Sequence, residues 1–427
     1  MRIRKRRLTA LLTAAGMSLT LAACDFQTKK PLLAEPISLK GSLTENIQPE
    51  APAGKAADAA FTAAQTAFSL NLLQKTAAKE TGVNLLLSPY SVMQALAMTV
   101  NGAAGKTKAD MEQTLGGIPA DELNAYLYQY RTGQPQENGC KMLTANSVWY
   151  PDDDGGFDVR KDFLKTIADF YGAEAYRRPF DQSAVTDINK WVDAKTGHMI
   201  PAIITEISPL TKMFLINACV FDSKWEKAYT EEQVCEYDFH AADGSVNKVM
   251  MMFSKEKYAL KDTNAKGFLK PYQGGRYAFA ALLPDEKLSV TDYAASLTPE
   301  RMQAVFTDRQ AANVHAGLPK FTADYSTELK RALSDMGMGE AFSAAADFSR
   351  MTASGEKELY IGELLHKTHI EVDEYGTKAA AVTAGKMTES AVEPEPFTVT
   401  LDRPFLYCIL DLQTNLPVFI GIQQSVS

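Results

Sequence analysis

The chain has 427 residues, 46% of them apolar and 22% charged, with a formal net charge of −8. That composition suits a globular protein with a sizeable core, in one large domain or two ordinary ones. The mild acidity argues against nucleic acid as the main partner, because phosphate recognition needs clustered Lys and Arg.

The first seven residues carry Arg2, Arg4, Lys5, Arg6 and Arg7, and Leu8–Leu21 is apolar or small but short for a membrane span. Residues 1–23 therefore read as an export signal. They end in Leu21-Ala22-Ala23-Cys24, which resembles the bacterial lipobox. In that motif the Cys is diacylated on sulfur and becomes the mature N-terminus. Two or more acyl chains, at about 0.8 kcal/mol per buried CH₂, make a stable anchor. Cys24 is thus the expected lipidation site, and the chain is expected to be exported and held by lipid at the outer face of the bacterial cell membrane. Gln27–Gly54 has little apolar content and scattered Pro31, Pro36, Pro49 and Pro52. Residues 24–58 accordingly read as the lipidated Cys and a disordered tether.

Residues 59–427 show no linker or repeat and read as a single domain. Phe61, Ala64, Phe68 and Leu72 share one helical face. Asn84–Leu87 reads as a short strand. Ser88 and Pro89 follow as N-cap and first helical residue, ahead of the stripe Val92, Leu96, Val100 and the stop Gly102. Val185–Val192, Lys195–Ile204 and Ser326–Met336 have helical patterning. Met213–Phe221, Val249–Phe253, Tyr277–Leu283, Phe405–Leu412 and Val418–Ile422 have the length and composition of strands. The mixture is α+β with a large mixed or antiparallel sheet.

Chemistry-bearing motifs are scarce. Gly102–Asp110 lacks the Gly spacing of a phosphate loop and reads as a helix end with a basic exposed loop. Pro151–Gly156 lacks the alternation of a Ca²⁺ loop. The five histidines show no metal-ligand spacing, and no nucleophile elbow is present. No metal, cofactor or catalytic residue is expected. Cys219 and Cys408 lie in apolar runs and read as buried, reduced thiols.

One segment, "EYGTKAAAVTAGKM" (Glu374–Met387), has an undecided character. Alanine favours helix, while the β-branched Val and Thr and the glycines at either end oppose a long one.

Six ordered segments resemble the serpin family. They are "NLLLSPYSVMQALAMTVNGAAGKTKADMEQTLG", "INKWVDAKTGHMIPAII", "FLINACVFDSKWEKAY", "LPKFTADYSTELKRALSDMGMGEAFSAAADFS", "LYIGELLHKTHIEVDEYGTKAAAVTA" and "DRPFLYCILD". The resemblance runs from about Phe61 to Ile422. It implies a serpin fold of three β-sheets with eight or nine helices, and an exposed reactive-centre loop at about residues 374–400. It also implies irreversible suicide-substrate inhibition of serine proteases, with a monomeric, metastable protein forming a 1:1 covalent complex with its target. The cleaved loop would enter the central sheet as a new strand. About 15 residues at ~3.3 Å each give a travel on the order of 50 Å.

Insertion makes a demand that this sequence meets. Alternate residues from Thr377 onward (Ala379, Ala381, Thr383, Gly385) must turn inward, and all are small and uncharged. Gly376 is the implied hinge, Lys378 can stay wet, and Tyr375 replaces the acidic residue common before the hinge glycine. Ser88, Ser91, Asn217 and His366 match a buried polar latch beneath the sheet opening. Glu374 and Lys320 match a pair at its top near Trp225.

The family interval from Glu374 puts the bait bond at Ser390–Ala391, with Met387–Thr388 as the alternative. A small residue before the bond suits elastase-like enzymes, and Met387 suits chymotrypsin- or subtilisin-like ones. A non-inhibitory serpin serving as a surface binding protein, and an inhibitor of cysteine proteases, are the other readings.

Overall fold

A computed structural model describes residues 39–135, 140–152, 158–208, 211–377 and 397–427. Cys24, the signal segment, Lys378, Ala379, Ala381, Thr383, Gly385, Met387, Thr388, Ser390 and Ala391 lie outside the described residues.

The helices are α1 (Ala59–Ala77), α2 (Pro89–Val100), α3 (Gly105–Thr114), α4 (Ala120–Thr132), α5 (Lys161–Tyr171), α6 (Gln182–Lys195), α7 (Val290–Ser296), α8 (Pro299–Thr307) and α9 (Lys330–Leu333). The strands begin with β1 (Leu85–Leu87), β2 (Cys140–Pro151), β3 (Glu174–Arg178), β4 (Phe214–Lys224), β5 (Val234–His240), β6 (Val246–Asp262), β7 (Ala265–Pro271) and β8 (Tyr277–Pro284). They continue with β9 (Gln310–Pro319), β10 (Phe321–Glu328), β11 (Glu363–Val372), β12 (Gly376–Thr377), β13 (Phe397–Thr400), β14 (Phe405–Asp411) and β15 (Leu416–Gln423).

Among the described residues the strands form two hydrogen-bonded sheets. The larger runs β1-β15-β14-β8-β7-β6-β9-β13, with β5 also on β6. The smaller runs β10-β11-β12-β4-β2-β3, and β11 also pairs directly with β4. The third sheet implied by the resemblance is continuous with the larger one, because β6 is long enough to serve both, with a register shift between Glu256 and Tyr258.

Burial explains what the patterning could resolve. Every residue of β8, β14 and β15 is buried, so these strands read as unbroken apolar runs. In β11 the burial alternates, with Leu364, His366, Thr368, Ile370 and Val372 inward. Ser88 caps α2, its Oγ accepting from Ser91 N, with Pro89 in the first turn.

Two helical readings and the tether need correction. Lys195–Ile204 is not a helix: α6 ends at Lys195, because Gly197 (φ 59°) and His198 (φ 64°) turn left-handed and Pro201 follows. Ser326–Glu328 belongs to β10, where its register opposite Leu365–Lys367 overrides helical periodicity, and α9 begins only at Lys330. The described part of residues 24–58 is not a loose tether. Leu43 N donates to Ala175 O at 2.7 Å, Lys55 N to Ala125 O at 3.0 Å and Glu50 N to an Asp169 carboxylate oxygen at 2.8 Å. Leu43 and Ile47 pack on the core. Low apolar content misled because these few contacts, not a continuous apolar face, hold the segment down.

Candidate functional site at the opening of the smaller sheet

The lower part of the smaller sheet is closed. Strands β11 and β4 run parallel there, in register from Glu363 opposite Phe214 to His369 opposite Val220. Above that point they part, and β12 fills the gap as an antiparallel strand. Thr377 faces Val372 on β11 and Ser223 on β4. The first inward residue of the expected inserting set is therefore already in the sheet. Thr377 is fully buried, and its hydroxyl lies 2.7 Å from that of Tyr272.

A tight turn joins β11 to β12. Asp373 N donates to Gly376 O at 3.0 Å, and an Asp373 carboxylate oxygen accepts from Tyr375 N (2.8 Å) and Gly376 N (3.0 Å). Burial raises the Asp373 pKa, with Glu374 and Glu371 adding to it and the two backbone N–H groups opposing. Gly376 is needed for space: a Cβ there would lie 2.2 Å from Ser223 O. The bare Cα lets the two backbones approach closely.

Trp225 grips this turn from above. Its indole N–H donates to Asp373 O at 2.8 Å, its backbone N to Tyr375 O at 2.9 Å, and Tyr229 N to Glu374 O at 2.9 Å. The indole stacks on Tyr272 with centroids 4.4 Å apart and planes 13° from parallel. Glu374 forms an ion pair with Lys320. Burial works against the Glu374 carboxylate, but the Lys320 hydrogen bond, a backbone N–H and the Lys320 charge together outweigh it and lower its pKa. At this partial exposure the pair contributes about 0–1 kcal/mol, so it positions more than it stabilises.

The latch lies below, where β11 still pairs with β4. His366 and Asn217 are register partners, and His366 Nδ1 is 2.5 Å from Asn217 Oδ1. Ser88 N donates to His366 Nε2 at 3.0 Å. These partners fix the neutral tautomer with its proton on Nδ1. Asn217 Nδ2 reaches Ser91 O (2.9 Å), Ser91 Oγ (2.6 Å) and Asn146 Oδ1 (2.6 Å). Ser88 Oγ ties the group to the larger sheet through Val418 O at 2.8 Å. All four expected residues meet here. Asn146 was missed, although a lone amide inside the strand "TANSVWY" was its signal. Tyr272 and Tyr229 carried no local signal, since the turn residues they hold, Thr377 and Glu374, lie more than a hundred positions further along.

Burial holds the His366 imidazole at about 3, against an ordinary 6.5. The unfolded chain takes up a proton as the pH drops through 6.5, and the native chain does so only near 3. Stability from this group is complete above pH 6.5 and is lost on acidification, by up to about 1.4 kcal/mol per pH unit. Between pH 7.5 and 5.0 the urea midpoint of the native protein should therefore fall further than that of His366→Gln, which carries no titrating ring. Equal falls would show that His366 does not carry the effect.

Cys219 and Cys408 are buried and free, with burial pushing the Cys219 thiol up to about 12, while Cys235 is exposed. Among the described residues no group of His, Cys, Asp or Glu is placed to hold a metal ion.

Comparison with known proteins agrees with this geometry. A family model described as Serpin (serine protease inhibitor) matches residues 63–425. A serpin-like protein of Thermococcus kodakarensis is 30% identical, over 83% of each chain. Leukocyte elastase inhibitor A of Mus musculus is 29% identical, over 84% of this chain and 98% of its own. The solved native state of the thermophilic serpin Tengpin is 41% identical with a TM-score of 0.86, covering 90% of this chain and 99% of its own. Its latent state scores 0.76, at 42% identity over 88% and 100% of the two chains. The backbone is thus more similar to the native arrangement than to the latent one.

Proposed function

This chain belongs to the serpin family of protease inhibitors, and from that premise we propose that it is an irreversible suicide-substrate inhibitor of elastase-like serine proteases. The observation that carries the reading is β12: two residues of the reactive segment already pair as a strand between β11 and β4, with Thr377 buried. A protease serine attacks the carbonyl carbon of Ser390, the Ala391 amine leaves, and an ester joins the protease to Ser390. Strands β13, β14 and β15 lie beyond that bond and belong to the larger sheet. The cut therefore separates two ends without detaching the C-terminal piece. The end attached to Thr377 then extends β12 downward between β11 and β4 and carries the protease with it. Deacylation stalls as the protease's catalytic groups lose their alignment.

The test is incubation with pancreatic elastase. The expected product is an SDS-stable complex at a ratio near one, together with a C-terminal peptide, freed only on denaturation, that starts at Ala391. Cleavage with no complex would sink the inhibitory reading. A peptide starting at Thr388 would move the bond to Met387 and the target class to chymotrypsin- or subtilisin-like enzymes. The lipobox-like tetrad supports the further proposal that Cys24 anchors the inhibitor to the outer face of a bacterial membrane. Cys24→Ser should then move the protein from the membrane fraction to the medium.

A further inference from the structure

Beneath the segment that grips the reactive turn lies a buried ion pair. Lys270 on β7 is 2% exposed and Glu256 on β6 is 8% exposed, with Lys270 Nζ 2.9 Å from Glu256 Oε1. The ammonium also donates to Lys227 O at 3.3 Å and sits 4.1 Å from the centroid of the Tyr229 ring and 5.3 Å from that of Trp225. Ser254 Oγ donates to the same Glu256 oxygen at 2.6 Å. Burial works to discharge Lys270, but Tyr229 and Glu256 outweigh it, so the side chain stays an ammonium.

Among the described residues, every hydrogen bond, ion pair and ring contact of that ammonium other than the one to Glu256 goes to residues 225–229. The same stretch holds the turn through Trp225 Nε1 to Asp373 O, Trp225 N to Tyr375 O and Tyr229 N to Glu374 O. A buried ion pair is a poor source of stability, because desolvation of both charges offsets their attraction and an apolar pair of similar volume often does as well. Its geometry here serves direction instead: it pulls a backbone carbonyl and two rings toward β7.

We propose that Lys270 and Glu256 are a positioning pair that sets the 225–229 clamp and so determines how firmly Thr377 is held in the sheet before any protease arrives. The link from that hold to trapping rests on the inhibitor reading above; the hold itself does not. Loss of the pair frees the clamp, and β12 leaves the sheet more often without the rest of the fold loosening.

The experiment uses the full chain carrying Thr377→Cys, labelled with iodoacetamide and resolved peptide by peptide in a mass spectrometer. Cys219 and Cys408, both fully buried, report opening of the whole fold. In the double variant Lys270→Met with Glu256→Leu, labelling at position 377 should speed up about 10-fold, or ~1.4 kcal/mol, with Cys219 and Cys408 unchanged. Glu256→Gln, a milder change that keeps an acceptor for Lys270, should give a smaller rise confined to the same position. It serves alone if the double variant does not fold. An unchanged rate at position 377, or a rise matched at Cys219 and Cys408, overturns the proposal. The unlabelled wild-type chain is assayed separately against elastase. Failure to trap there would defeat the inhibitor reading and leave the labelling result standing.

Discussion

Thr377→Arg is expected to turn the protein from a trap into a substrate. Thr377 is fully buried, and its hydroxyl meets Tyr272 at 2.7 Å. A guanidinium there would lose its water with no carboxylate among those neighbours to receive it, at a cost of several kcal/mol. The native variant answers by expelling β12, which leaves the bait bond accessible. After cleavage the same charge has to enter the sheet first, at the top of the slot, before any later residue can gain a partner. Insertion slows while deacylation proceeds at its ordinary rate. The expected readout is loss of the SDS-stable band with cleavage at the same bond retained, and a stoichiometry of inhibition raised by about 10-fold or more, since ~1.4 kcal/mol on the insertion barrier already shifts the partition tenfold. A variant that still traps elastase one to one would show that the inward face of the loop does not govern insertion.

Asn217→Ala is expected to give the largest loss of stability. Its amide joins Ser91, Asn146 and His366 in one buried group. Truncation strands the His366 Nδ1 proton and the Asn146 carbonyl, each worth about 1–3 kcal/mol when left unpaired. A loss of about 3–5 kcal/mol in urea unfolding follows. Because His366 and Asn217 sit on β11 and β4, the same change weakens the seam along which the sheet must open. Incubation at 37 °C should drain inhibitory capacity from the variant faster than from the wild type, with no protease present. A stable variant with full capacity after incubation would remove Asn217 from the latch.

Much of this was legible in the chain, for identifiable reasons. The Ser88 cap, the α2 stripe and the strands β4, β8, β14 and β15 are local patterns, and local patterns survive folding. The latch residues were recognisable through ordered motifs even though 126 and 149 positions separate its hydrogen-bonded pairs. Lys195–Ile204 and Ser326–Met336 misled because apolar spacing alone does not see Gly197 turning left-handed or β11 claiming Ser326–Glu328 as a neighbour. The seating of Thr377 was beyond sequence reasoning. Whether Gly-Thr is loop or strand there depends on a slot built by β4 and β11 and on a Tyr272 hydroxyl from just beyond the end of β7.

The register of β12 works as a ruler for what comes next. Thr377 stands between Ser223 and Val372, 149 positions apart, and the closed seam below has the same offset, as His366 opposite Asn217 shows. Extension of β12 therefore asks for no sliding of β11 along β4, only a sideways step of about 4.8 Å, one strand spacing. Counting down the same ladder brings Thr383 to the rung between Asn217 and His366. On the proposed mechanism the seam would unzip in a set order: Phe221 and Ile370 would be reached two residues after Thr377, and the latch only at the sixth, where a hydroxyl would arrive as the amide and imidazole part. On the proposed mechanism the latch would thus be met halfway down the sheet rather than at its mouth, and a change there should act on timing against deacylation while leaving the first encounter with the protease untouched.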